Sequence, residues 1–78
     1  MEVAHLAPLD MVKKGQKVRI HSINNPVVRA QALRFGISEG EIVSVEEIIP
    51  AGPIILGRKK QEIAVGRQLA QKILVEIL

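Results

Sequence analysis

The sequence predicts a small all-β protein: a partly open barrel of five short strands, with one α-helix inserted between the first two. Three observations carry this reading. Runs rich in β-branched residues recur at short intervals, separated by Gly, Pro and Asn breakers. Only Pro26–Phe35 places apolar groups at helical spacing over several turns, through Val28, Ala32 and Phe35. At 78 residues, 47% of them hydrophobic, the chain can build one core, and short strands then have to curl closed to hide their edges.

The elements follow in order. Residues 1–7 have no periodicity and read as a loose lead-in to one domain spanning residues 1–78. Pro8 to Gly15 reads as an apolar anchor followed by a turn. Lys17-Val18-Arg19-Ile20 alternates charged and apolar groups, as a half-buried strand running to Ile23 should. Asn24-Asn25-Pro26 breaks that strand and suits a helix start, with Asn25 as N-cap and Pro26 at the first helical position. The helix ends at Phe35-Gly36-Ile37-Ser38-Glu39-Gly40. There Gly36 is expected to close the helix in the left-handed region, and Gly40 to launch the next strand. Phe35 is expected in the core, Ile37 beneath the helix, and the Ser38 hydroxyl on backbone. Glu41–Ile49 reads as a long strand stopped by Pro50-Ala51-Gly52-Pro53. Ile54–Leu56 and Glu62–Val65 form a hairpin through Gly57–Gln61, Gly66–Lys72 makes a short C-terminal helical turn, and Ile73–Leu78 is the last strand.

Composition removes several function classes. There are no cysteines, so disulfides and thiolate metal sites are unavailable, which fits a reducing cytoplasm. The first residues lack the basic and apolar regions of a secretory signal. The most apolar run, Ile48–Leu56, is broken by Pro50, Gly52 and Pro53 and falls short of the ~20 residues of a membrane span. A soluble protein is expected. Its net charge of +3 lies entirely in residues 1–40, since the five basic and five acidic groups of residues 41–78 cancel.

No catalytic constellation is present. Ser22 follows His21 directly, and strand neighbours face opposite ways, so the two cannot cooperate as nucleophile and base. His5, His21, Glu46 and Glu47 are the only candidate metal ligands. The histidines share no ligand spacing, and adjacent Glu46 and Glu47 point to opposite faces of a strand, so no metal residues are assigned. Phosphate cradles place glycines before a helix, whereas here they follow it. Arg58-Lys59-Lys60 is a basic cluster at a hairpin tip, but with Phe35 as the one aromatic residue the chain lacks stacking platforms for nucleic acid. Recognition through surface remains. Ala30 and Leu33, away from the presumed core face of the helix, with Leu74 and Leu78 near the C-terminus, are apolar groups available for docking.

Taken together, these elements resemble the FeoA family, the small cytoplasmic partners of the bacterial ferrous-iron transport system. The resemblance runs from Pro8 to Leu78. It rests on Leu9 and Gly15, the strand Lys17–Ile20, Leu33-Arg34-Phe35-Gly36-Ile37, the Gly40 turn, Gly52-Pro53-Ile54, and Ile63-Ala64-Val65 followed by Ala70 and Ile73-Leu74-Val75. It implies a Src-homology-3-like barrel with an inserted helix and no catalytic role. It further implies binding to, and modulation of, the membrane GTPase transporter FeoB, at the inner face of the membrane through that partner. The same fold closes iron-dependent repressors, but this chain has no DNA-binding helix-turn-helix. In two places it departs from the family: Ala32 stands where leucine is frequent, and Gly66 where arginine is, with Arg67 one residue later. If docking uses the helix, the expected contacts are Arg29, Ala32, Leu33 and Arg34. Two alternatives stay open: a ferrous-iron-responsive sensor or carrier that binds Fe²⁺ or another divalent metal weakly at its surface, and a nucleic-acid-binding small barrel. Exposed strand edges also allow a homo-oligomer.

Overall fold

The computed structural model describes residues 5–78. In chain order its elements are β1 (Leu6–Pro8), a 3-10 turn (Leu9–Met11), β2 (Lys17–Ser22), α1 (Pro26–Arg34), β3 (Ile42–Ile48), β4 (Ile54–Arg58), β5 (Gln61–Val65), α2 (Arg67–Ala70) and β6 (Leu74–Ile77). The strands form one antiparallel sheet in the order β1-β6-β2-β3-β4-β5. This is a small Src-homology-3-like barrel with one inserted helix, and it has one strand more than the five expected.

The additional strand corrects the lead-in expected over residues 1–7. Residues 1–4 lie outside the described residues, but Leu6, Ala7 and Pro8 pair with Glu76, Val75 and Leu74. Three residues are too few for an alternation to register in sequence. An edge strand also accommodates Pro8, because the missing N–H leaves no gap in a central ladder.

Alternation places the core. Val18 and Ile20 of β2, Val43 and Val45 of β3, and Ile54 and Leu56 of β4 point inward and are buried. They meet Leu9, Ile23, Ile37, Val65, Ile73 and Val75 in a core that is wholly aliphatic. Among the described residues no polar or charged side chain is buried. The alternation of β3 breaks where its register against β4 slips by one residue between Val45 and Glu47. This bulge is why Glu46 and Glu47, expected on opposite faces, are both exposed.

Helix α1 starts as expected. Asn25 Oδ1 accepts from the N–H groups of Val27 at 2.9 Å and Val28 at 3.3 Å, with Pro26 beginning the helix. Its end explains why Phe35 does not enter the core. Gly36 adopts φ +81°, its N–H bonds to Leu33 O at 3.0 Å, and the Ile37 N–H bonds to Ala32 O at 2.9 Å. This is the paired bond pattern of a left-handed helix stop, in which the residue after the glycine folds back against the helix. Ile37 and Ala32 are therefore buried together, while Phe35, where the helix ends, is left 50% exposed. A helical wheel puts Phe35 on the core face, but the chain leaves the wheel at that residue.

Candidate docking groove between the two helices

Two surfaces flank α1, and they differ in how they treat charge. On one flank, the corner from Gly36 to Glu41 is tied to the barrel by ion pairs and backbone bonds. Gly40, at φ +91°, donates to Ile20 O at 2.8 Å. Glu39 accepts from the Ile23 N–H at 2.9 Å and from Arg29 at 3.4 Å. Arg58 reaches across from β4 to Glu41 at 2.7 Å and to Gly36 O at 3.0 Å. The Ser38 hydroxyl, expected on backbone, instead donates to Glu41 Oε1 at 3.3 Å. Every cation here has a carboxylate.

On the other flank, α1 and α2 enclose an open groove of about 1040 Å³. From α1 and its C-cap come Val27, Val28, Gln31, Arg34 and Phe35; from α2 and the residues after it come Arg67, Gln68, Leu69 and Lys72. Val27, Gln31 and Arg34 sit at i, i+4 and i+7, a stripe along one side of the helix, and Phe35 joins them where the helix ends. Val27 is 67% exposed, and Leu69 packs partly against the core. The groove thus has an apolar lining with polar and basic groups beside it.

Its electrostatics are one-sided. Arg34, Arg67 and Lys72 contribute, and no described acidic residue lines it. Arg67 acts as a strut: its guanidinium donates to the carbonyls of Gly52 at 2.9 Å, Ile49 at 3.0 Å and Asp10 at 3.5 Å. That fastens α2 to the β3–β4 loop and to the 3-10 turn, but neutral carbonyls leave its charge in place. Among the described residues, neither Arg34 nor Lys72 forms a salt bridge.

The four residues expected as partner contacts do not share a face. Ala32 is fully buried at the helix stop and cannot touch a partner. Its small side chain faces the core beside Val28, the face to which its helical spacing assigns it, and that spacing outweighs its place among the expected contacts. Arg29 is turned to Glu39, and Leu33 is 56% exposed but outside the groove. Arg34 alone of the four lines it. Val27, Gln31, Phe35, Leu69 and Lys72 were not expected there. The stripe on α1 is visible in sequence, but nothing local shows that α2 packs opposite it.

The other candidates disperse. Arg58-Lys59-Lys60 is no continuous basic patch, because Arg58 turns inward to Glu41. Lys59 and Lys60 form the β4–β5 turn with φ of +47° and +67°. Among the described residues, no three His, Cys, Asp or Glu side chains gather to hold a metal ion, and no helix is long and apolar enough to cross a membrane.

Comparison with known proteins agrees with this fold. The FeoA domain family matches residues 7–77. None of the curated proteins matches the chain. The crystal structure of an iron uptake regulatory protein (FeoA) is 28% identical and superposes with a TM-score of 0.86, covering 95% of this chain and all of that one. The solution structure of a FeoA-like protein from Clostridium acetobutylicum is 25% identical with a TM-score of 0.83, covering 99% of this chain and 91% of its own. A manganese-dependent transcriptional repressor shares the fold at 21% identity and a TM-score of 0.81, with the match covering 99% of this chain and only 44% of the repressor.

Proposed function

This chain belongs to the FeoA family, and on that premise we propose that it is a non-catalytic accessory protein of bacterial ferrous-iron transport. It binds the membrane GTPase transporter FeoB and modulates it from the cytoplasmic side. Family membership supports the role in ferrous-iron transport. The observation that carries the docking reading is the groove between α1 and α2, where apolar groups lie exposed beside Arg34 and Lys72, neither of which forms a salt bridge among the described residues. A surface of this composition suits recognition better than catalysis, since among the described residues its lining holds no serine, cysteine, histidine or carboxylate.

The test is co-purification. Detergent-solubilised FeoB from the same cell, immobilised through its own tag, is expected to retain this chain stoichiometrically at low salt and to release it as salt rises. FeoB that retains none of the folded protein at any salt would sink the proposal. Anaerobic equilibrium dialysis against Fe²⁺ separates the sensor alternative, which requires bound metal, from accessory binding, which does not.

A further inference from the structure

We infer that the α1–α2 groove is built for an acidic peptide segment of a protein partner, one that presents apolar side chains flanked by carboxylates. The inference rests on the reading that this chain works by docking a protein, and it adds the place and the chemistry of the contact.

Three observations converge on that occupant. The first is the exposed apolar lining of Val27 and Phe35, with Leu69 half-buried beside them. Apolar side chains from outside gain burial there without any rearrangement of the core. The second is sign. Arg34, Arg67 and Lys72 line the groove and no described carboxylate does, so an incoming acid meets attraction throughout and an incoming base meets repulsion throughout. The third is contrast with the rest of α1. On the opposite flank Arg29 and Arg58 are matched to Glu39 and Glu41, which leaves no net attraction for an outside anion. Positive charge is therefore left open only on the side of α1 where apolar surface is also open.

Geometry favours a peptide over a flat anionic surface. The groove is concave, and both α1 with its C-cap and the α2 segment contribute apolar as well as cationic groups to it. A segment carrying apolar anchors at helical spacing fills such a trough, with its carboxylates reaching Arg34 on one bank and Lys72 on the other. A headgroup layer offers phosphates to the cations but no apolar side chains to cover Val27 and Phe35.

The experiment titrates the isotopically labelled full chain with a short leucine–glutamate peptide whose leucines are spaced i, i+4. Its leucine–lysine counterpart serves as the charge control. Amide shifts are expected to cluster at Val27, Gln31, Arg34, Phe35, Gln68 and Lys72 with the glutamate peptide and to be absent with the lysine peptide. The double variant Arg34→Glu, Lys72→Glu is expected to weaken binding by about tenfold or more. Lys59→Glu, Lys60→Glu makes the same change in net charge at the far hairpin and is expected to leave it unchanged. Equal loss in both double variants would reduce the effect to net charge and overturn the inference. So would shifts centred elsewhere, absence of binding by the glutamate peptide, or equal binding of the lysine peptide. Two further results overturn it in favour of another occupant. One is groove-dependent binding to phosphatidylserine vesicles with no peptide binding; the other is self-association that shifts the same amides. Retention by FeoB supplies the separating arm. If FeoB retains the groove variant as well as the parent chain, the groove assignment fails and the accessory role stands. If the glutamate peptide binds in the groove but FeoB retains nothing, the accessory role fails and the groove stands.

Discussion

The two flanks of helix α1 put positive charge to opposite uses. On the corner flank each cation meets a carboxylate: Arg29 meets Glu39, and Arg58 meets Glu41. On the groove flank Arg34 and Lys72 meet none among the described residues, and Arg67 bonds to carbonyl oxygens. The difference teaches how to separate structural from available charge in a small barrel. A guanidinium that closes hydrogen bonds between distant strands holds the fold, and its removal should appear as lost stability. A guanidinium facing only water beside exposed apolar groups contributes little to stability, and its removal should appear only in binding.

The largest effect tests the anchor on which the comparison depends. Ile37 is buried, and its N–H closes the helix stop on Ala32 O at 2.9 Å. Ile37→Ala is expected to cost about 3 kcal/mol in urea unfolding, from lost burial and the cavity left behind. A cost below about 1 kcal/mol would mean that the site collapses easily and that α1 is positioned from elsewhere. Next comes Arg58→Met, which removes bonds to Glu41 and to Gly36 O while keeping most of the side-chain volume. Because both groups are partly buried, a loss of about 2 kcal/mol is expected. Arg58→Lys should recover only part of it, since the shorter lysine side chain ends before the position of Nη1, the one nitrogen that donates to both acceptors. Full recovery by lysine would show that the corner needs only a charge there.

Much of this was legible in the sequence, and what was not has identifiable causes. The inserted helix, its Asn25 cap and the glycines at its corner are local signals, carried by residue types whose backbone preferences act within a turn. Strands β2 through β6 announce themselves by β-branched runs between breakers. Strand β1 does not, because three residues carry no period. Phe35 misled because the helical wheel assumes that the helix continues, whereas the left-handed step at Gly36 gives the inward place to Ile37. The groove was half visible. Val27, Gln31 and Arg34 share one side of the helix at readable spacing, but only the tertiary fold brings Leu69 and Lys72 opposite and turns Phe35 toward them. For the same reason Arg58 reads as a hairpin charge until its partner Glu41, seventeen positions away, is known.

A smaller effect of opposite sign concerns the hairpin tip, where neither Lys59 nor Lys60 forms a salt bridge among the described residues. Lys60 holds φ +67°, a conformation that a side chain with a Cβ takes at a cost. Lys60→Gly is expected to stabilise the protein by about 0.5–1 kcal/mol, the relief of that strain outweighing the added freedom of the unfolded chain. Destabilisation would show that the lysine makes a contact that offsets its strain, and would move the tip into the structural class with Arg58.

The smallest stability effect is the sharpest test of the comparison. Arg34→Gln with Lys72→Gln removes two of the groove's cations and keeps side chains that remain solvated. Neither residue forms a salt bridge among the described residues, so the unfolding free energy should stay within about 0.5 kcal/mol of the parent. Any change should lean toward stabilisation, because like charges on the two banks repel in the folded state and are farther apart in the unfolded one. Raising the salt concentration should then narrow the gap between variant and parent, since screening weakens the repulsion that the variant has already lost. A loss comparable to that of Arg58→Met would mean that Arg34 or Lys72 closes a bond holding α1 to α2, and the division between a structural flank and an available one would fail.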